Sequence, residues 1–156
     1  MVYATKTRVI EGLKRSQANA VCLYLNAKRY HWYTYGPLFR DLHLLFDEIA
    51  GAALAQVDPF GERVRILGGD PPSMPEEIAS IASITVWHLK GTPADMLQEA
   101  LQNERRIIDE MREGARIADE ENDPGTVDLY SRSVQTHEKY AWFIEEALRR
   151  GDGLVT

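Results

Sequence analysis

Four residues on one stretch of helix-like sequence, His43, Asp47, Asp58 and Glu62, are the side chains best suited to chemistry in this chain. His43 and Asp47 are four residues apart, as are Asp58 and Glu62. That spacing sets two side chains on one side of an α-helix, so each pair can hold a metal ion. Asp47 and Asp58 are eleven residues apart, about three turns at roughly 3.6 residues per turn, which keeps both pairs on one stripe. Along the axis, however, His43 and Asp58 are about 22 Å apart, too far to share an ion. If both pairs serve one site, a two-fold axis must bring the same helix of a neighbour alongside, running antiparallel. Gly51, Ala52 and Ala53 lie midway between the pairs, where such an axis would pass, and their small side chains permit close approach.

A turn adds a fifth residue. Tyr35, Gly36 and Pro37 end the preceding helical stretch, and His31 lies about as far before that turn as His43 lies after it. In an antiparallel hairpin the two imidazoles sit at one level. His31, His43 and Asp47 would then come from one chain and Asp58 and Glu62 from its mate, a nitrogen and oxygen donor set that suits iron, with zinc or manganese as competitors. Taken singly, a helical carboxylate is usually a solvated charge and a lone histidine a structural residue. The five together agree on one symmetric geometry. His88 and His137 join no comparable group.

The elements that must position these residues are helices. A first runs from about Thr7 to Thr34 with Ile10, Leu13, Ala20, Val21, Tyr24 and Leu25 at helical spacings. Pro37 suits the first turn of a second, in which Leu38, Leu42, Leu45, Ile49, Ala53, Phe60 and Val64 sustain an apolar face up to LGGDPP at 67–72. Pro59 removes a backbone donor inside it, which predicts a kink. Ser73 caps a short helix to about Ser83, a crossover piece. Thr92 with Pro93 opens a third long helix that ENDPG at 121–125 stops, and a fourth runs from about Thr126 to Arg150. Two hairpins joined by a long connection give an all-α, ferritin-like four-helix bundle with a short extra helix between the second and third long helices, in one domain over 1–156. Orthogonal helical arrays share the same pattern.

Composition bounds the rest. The 156 residues suffice for one domain with a real core. Twenty-four acidic against 18 basic side chains give a net charge of −6, which repels phosphate backbones and attracts cations. Cys22 is the one cysteine, so there is no internal disulfide framework and a reducing compartment fits. No apolar run reaches membrane-spanning length, and the N-terminus lacks a signal-peptide core. A cytoplasmic protein is expected. No Glu stands three residues before any His: positions 28, 40, 85 and 134 are Lys28, Arg40, Thr85 and Val134. That disfavours an intrasubunit di-iron centre of the Glu-x-x-His type.

The segments YHWYTYGPLFRDLHLLFDE at 30–48, VDPFGERVRILGGDPP at 57–72 and HEKYAWFIEEAL at 137–148 closely resemble the Dps proteins, the miniferritins named as DNA-binding proteins from starved cells. The resemblance spans nearly the whole chain. It implies that His31, His43, Asp47, Asp58 and Glu62 form an intersubunit ferroxidase site, two per two-fold interface of a hollow dodecamer. It implies oxidation of Fe(II), preferentially by hydrogen peroxide, and storage of ferric oxide in the cavity, protecting against oxidative damage. It further suggests Trp32 as an interceptor of stray oxidising equivalents, Asp123 and Asp128 as pore carboxylates, with Glu120 and Glu121 adding to the field, and Glu48 as a mineral-nucleating group. The lysine-rich arm of DNA-binding members has no counterpart here, since Lys6 and Arg8 are the basic residues before Glu11 and GDGLVT has none. No appreciable DNA binding is expected. The competing readings are a DNA-compacting cage and a helical oligomer whose polar stripe only specifies contacts.

Overall fold

The computed structural model describes residues 6–84, 86 and 91–149. Five helices follow in order: α1 (Thr7–Tyr33), α2 (Phe39–Ile66), α3 (Pro75–Ile81), α4 (Pro93–Glu120) and α5 (Pro124–Leu148), with no strand among the described residues. The α1–α2 and α4–α5 hairpins pack face to face, α1 against α4 and α2 against α5, while short α3 lies against α1. This is the four-helix bundle with an extra helix in its long connection, not an orthogonal array.

Each long helix buries one stripe. Leu13, Leu23 and Tyr30 of α1, Phe46, Ile49 and Phe60 of α2, Met96 and Met111 of α4, and Tyr130 and Ile144 of α5 are almost wholly inside. Tyr30 tilts against Phe46 and Phe60 against Tyr130, so aromatic pairs clamp α1 to α2 and α2 to α5.

The boundaries follow from capping, and some differ from expectation. Pro37 belongs to the turn rather than to α2. Gly36 takes φ +94°, and its carbonyl accepts from the Phe39 amide at 3.0 Å, so the helix starts at Phe39. α2 runs unbroken through Pro59, which is exposed, as is Ala55, whose carbonyl loses the proline's missing donor. It ends in a Schellman motif: Gly69 N–H donates to Val64 O at 2.9 Å and Gly68 N–H to Arg65 O at 3.0 Å, with Gly68 at φ +86°. The α4–α5 corner repeats the device with a non-glycine residue, Asn122 at φ 54°. There the Asp123 and Asn122 amides donate to Ala118 and Asp119 carbonyls. α3 starts one residue later than expected, with Met74 rather than Ser73 at the cap, because Glu77 reaches back to accept from both the Ser73 and Met74 amides. At α4 the expected Thr92 cap forms a reciprocal box with Asp95.

Candidate metal centre

The α1–α2 turn brings the two histidines to one level by direct contact. Their rings stack with centroids 3.6 Å apart and planes 13° from parallel, and Phe39 covers the other face of His43 at 5.0 Å. Each Nδ1 lies 2.7 Å from the backbone carbonyl of the other histidine. A carbonyl can only accept, so each Nδ1 donates and carries the proton. That leaves Nε2 of both rings with the free lone pair, the atom able to bind a metal, with ring orientation fixed by the main chain.

Asp47 stands one turn after His43, exposed, with Oδ1 accepting from Lys28 Nζ at 2.8 Å. This ammonium holds the Asp47 carboxyl below its ordinary range, so the group is an anion, with His31 and His43 acting in the same direction. Asp58 and Glu62 are exposed further along α2, where with Leu54, Gly61 and Arg65 they line an open hollow of about 760 Å³. Among the described residues of one chain, no three His, Cys, Asp or Glu side chains converge as a metal cage. His31 and His43 are thus brought together, Asp47 stands a turn away with its carboxylate on Lys28, and Asp58 and Glu62 lie further along α2.

The α2 face that carries both groups is unusually apolar for a surface. Leu44, Leu54 and Ile66 are 46%, 53% and 62% exposed. Gly51 is exposed too, and a Cβ built there meets nothing within 4 Å. α1 adds Leu25, Trp32 and Tyr33 to the exposed large hydrophobics. Such a patch, interrupted by two groups of candidate ligands, has the character of an interface.

Trp32 is 67% exposed, so it packs into no core of its own subunit. Glu48 is exposed beside Asp47 and is one of the carboxylates that, after burial, keep the Tyr140 phenol protonated. Asp123 does not stand free as a pore carboxylate would. It is 4% exposed, caps α5 by accepting from the Thr126 amide at 3.1 Å, and pairs with Arg63 at 2.5 Å. Burial would raise its pKa, but the Thr126 and Arg63 hydrogen bonds together lower it. Its charge is used inside the subunit, tying the α2 residue next to Glu62 to the start of α5. Asp128 does stay at the surface, paired with Arg132 at 2.8 Å. Glu120 is bridged by Arg116 and Arg8, and the carbonyl of Glu121 takes Lys6 Nζ at 2.7 Å.

His88 lies outside the described residues. His137 is buried at 2% exposure, with Nδ1 2.6 Å from Glu104 Oε2 and Nε2 2.9 Å from Gln56 Oε1. Both nitrogens are taken, so it offers no ligand. Sequence reasoning missed this three-helix network because its members are 33 and 81 residues apart in the chain.

The fold defines a ferritin-like protein, and a ferritin-like domain model matches residues 10–154. Within that class the chain belongs to the Dps family. Dps from Thermosynechococcus elongatus superposes with a TM-score of 0.94 at 49% identity, covering 97% of both chains. The archaeal Dps homologue of Halobacterium salinarum gives 0.91 at 31% identity over 97% of this chain and 84% of its own. The DNA protection during starvation protein 1 of Deinococcus radiodurans is 34% identical over 142 residues, 88% of this chain and 67% of that protein. No described helix is long and apolar enough to cross a membrane.

Proposed function

We propose that the protein is an iron-storage and detoxification cage whose ferroxidase sites lie between subunits. His31, His43 and Asp47 of one chain hold Fe(II) together with Asp58 and Glu62 of its two-fold mate, which brings two irons to each site. The observation that carries the reading is the reciprocal lock of His31 and His43. It commits both Nδ1 donors to the main chain and so holds two Nε2 atoms in fixed orientation near an anionic Asp47.

Hydrogen peroxide is the preferred oxidant. Two Fe(II) each give one electron, the O–O bond breaks, and two protons complete two waters, so the one-electron product, hydroxyl radical, is not released. Ferric ion then passes into a hollow homo-oligomer, a dodecamer, where Glu48 serves mineral nucleation. Trp32, exposed beside His31, takes up oxidising equivalents that escape the pair of irons. Iron enters past Asp128 and the acidic α4–α5 corner. Zinc or manganese competes for the same mixed donors. The net charge of −6 draws cations to the shell and opposes DNA, so compaction of DNA is not part of the reading, and the work is cytoplasmic.

The test is peroxide-driven oxidation of added Fe(II) followed optically, with the wild type beside a His31→Gly, His43→Gly, Asp58→Ala variant. The variant is expected to lose the fast initial phase. An unchanged initial rate in it would remove the catalytic assignment.

A further inference from the structure

Two glycines, Gly51 and Gly61, lie inside α2, and two of its leucines, Leu44 and Leu54, are about half exposed. Glycine is disfavoured in a helix interior unless something must come close to the backbone there. Gly61 has such a neighbour in its own chain, the Gln17 amide, whose Nε2 would lie 2.9 Å from an added Cβ. Gly51 has none: it is exposed, and a Cβ there meets nothing within 4 Å. The proposed site pairs His43 with Glu62 and Asp47 with Asp58, and both pairs share one midpoint, between Ala52 and Ala53. A two-fold axis at that point sets residues equally far from it level with one another across the interface. Leu54 then comes level with Gly51 of the partner subunit, and Leu44 with Gly61 of the partner subunit, in the hollow that Leu54 and Val57 also line. Each exposed leucine thus meets a glycine in the register that the ligands alone define. Arg65, which falls level with Arg40, is turned aside onto Asp70 at 2.6 Å and the Gly69 carbonyl at 2.8 Å.

Resting on the intersubunit site proposed above, we infer that a second copy of this chain docks with its Leu54 in the notch left by Gly51, and that this contact fixes the register of the two α2 helices. The contact occurs twice, once on each side of the axis. Leu54 and Gly51 touch no metal, yet they decide whether His43 and Asp47 meet the carboxylates that complete their site. A larger side chain at position 51 fills the notch and holds the helices apart. Across the axis the two Leu54 Cα atoms are offset by about 4.5 Å of helix rise. With helix axes about 8 Å apart they come within about 6 Å of each other, inside the span of a disulfide. The two Leu44 Cα atoms are separated by about 26 Å of rise.

The test is oxidation of full-length Leu54→Cys and Leu44→Cys proteins, followed by denaturing electrophoresis without reductant. The two positions are similarly exposed, so random collision cross-links them equally, and Cys22 is buried in both. Leu54→Cys is expected to run as a covalent dimer and Leu44→Cys as a monomer. In a second arm Gly51→Leu is titrated calorimetrically with Zn(II) alone, a probe with no redox chemistry. It is expected to bind roughly tenfold more weakly than the wild type while keeping the helical circular-dichroism spectrum, because leucine suits a helix better than glycine. No covalent dimer from Leu54→Cys, an equal yield of dimer from Leu44→Cys, or wild-type Zn(II) affinity in Gly51→Leu each overturns the inference. Failure of the underlying site reads differently: there the wild type itself would bind no more Zn(II) than a His31→Gly, His43→Gly, Asp58→Ala variant.

Discussion

The claim that each site is divided between two chains makes a quantitative prediction through mixed assemblies. One variant, His31→Gly with His43→Gly, lacks the first group of ligands but keeps Asp58 and Glu62; a second, Asp58→Ala with Glu62→Gln, lacks the second group but keeps the histidines. Along α2 the groups are separated by about 22 Å of helix rise, and no chain gathers three such ligands by itself among its described residues. Each homogeneous variant should therefore be inactive. Co-expressed in equal amounts, the two pair at random across two-fold interfaces. About half of the pairs are mixed, and in each mixed pair one of the two sites receives both intact groups while the other receives neither. The mixture should thus regain about one quarter of the wild-type fast phase of peroxide-driven Fe(II) oxidation, with the iron bound per chain restored in the same proportion. Distinct affinity tags on the two chains allow mixed particles to be isolated, which raises the expected recovery to that of their actual composition. No recovery in isolated mixed particles of wild-type mass would refute the divided site, because a centre built within one chain cannot be rescued by a neighbour.

Three further outcomes are expected. Asp123→Ala removes a cap and leaves Arg63, whose side chain is 22% exposed, without its carboxylate and with only Thr126 Oγ1 to accept from it, which costs about 2–4 kcal/mol and lowers a circular-dichroism melting midpoint by roughly 10 °C. Because the folded Asp123 pKa lies below its unfolded value, the charge-dependent part of that advantage is full at neutral pH and is lost as pH falls below about 4; an advantage that instead faded as pH rose from 5 to 8 would contradict the assignment. Leu54→Asp, at a side chain 53% exposed in one chain, should leave the helical spectrum intact but shift the mass seen by light scattering to smaller species, and an undiminished particle would show that this face is not the interface. A gel-shift titration at physiological salt should show no DNA complex, and a complex that weakens with added salt would reveal a basic surface that assembly creates.

The helices and their order were legible in the sequence because the signals are local: apolar residues at helical spacing, Thr92 before Pro93, and glycines after Leu67. The boundaries were less so. Pro37 and Thr126 were plausible first residues and Ser73 a plausible cap, and competition among nearby caps decided against each: the Gly36–Phe39 turn, Asp123 ahead of Pro124, and Glu77 reaching back over Met74.

The same division holds for the site. Spacing within α2 and the hairpin turn were enough to align His31, His43 and Asp47 and to set Asp58 and Glu62 apart, because helix rise and turn length are fixed by the backbone. Only the tertiary structure decided which proton each histidine carries, since that depends on carbonyls twelve residues away in the chain. It also turned Asp123 inward to Arg63 and closed His137 against Glu104 and Gln56. A sequence records which groups are available and how far apart they lie along a helix; burial and the neighbours met across the bundle determine which of them remain free to act.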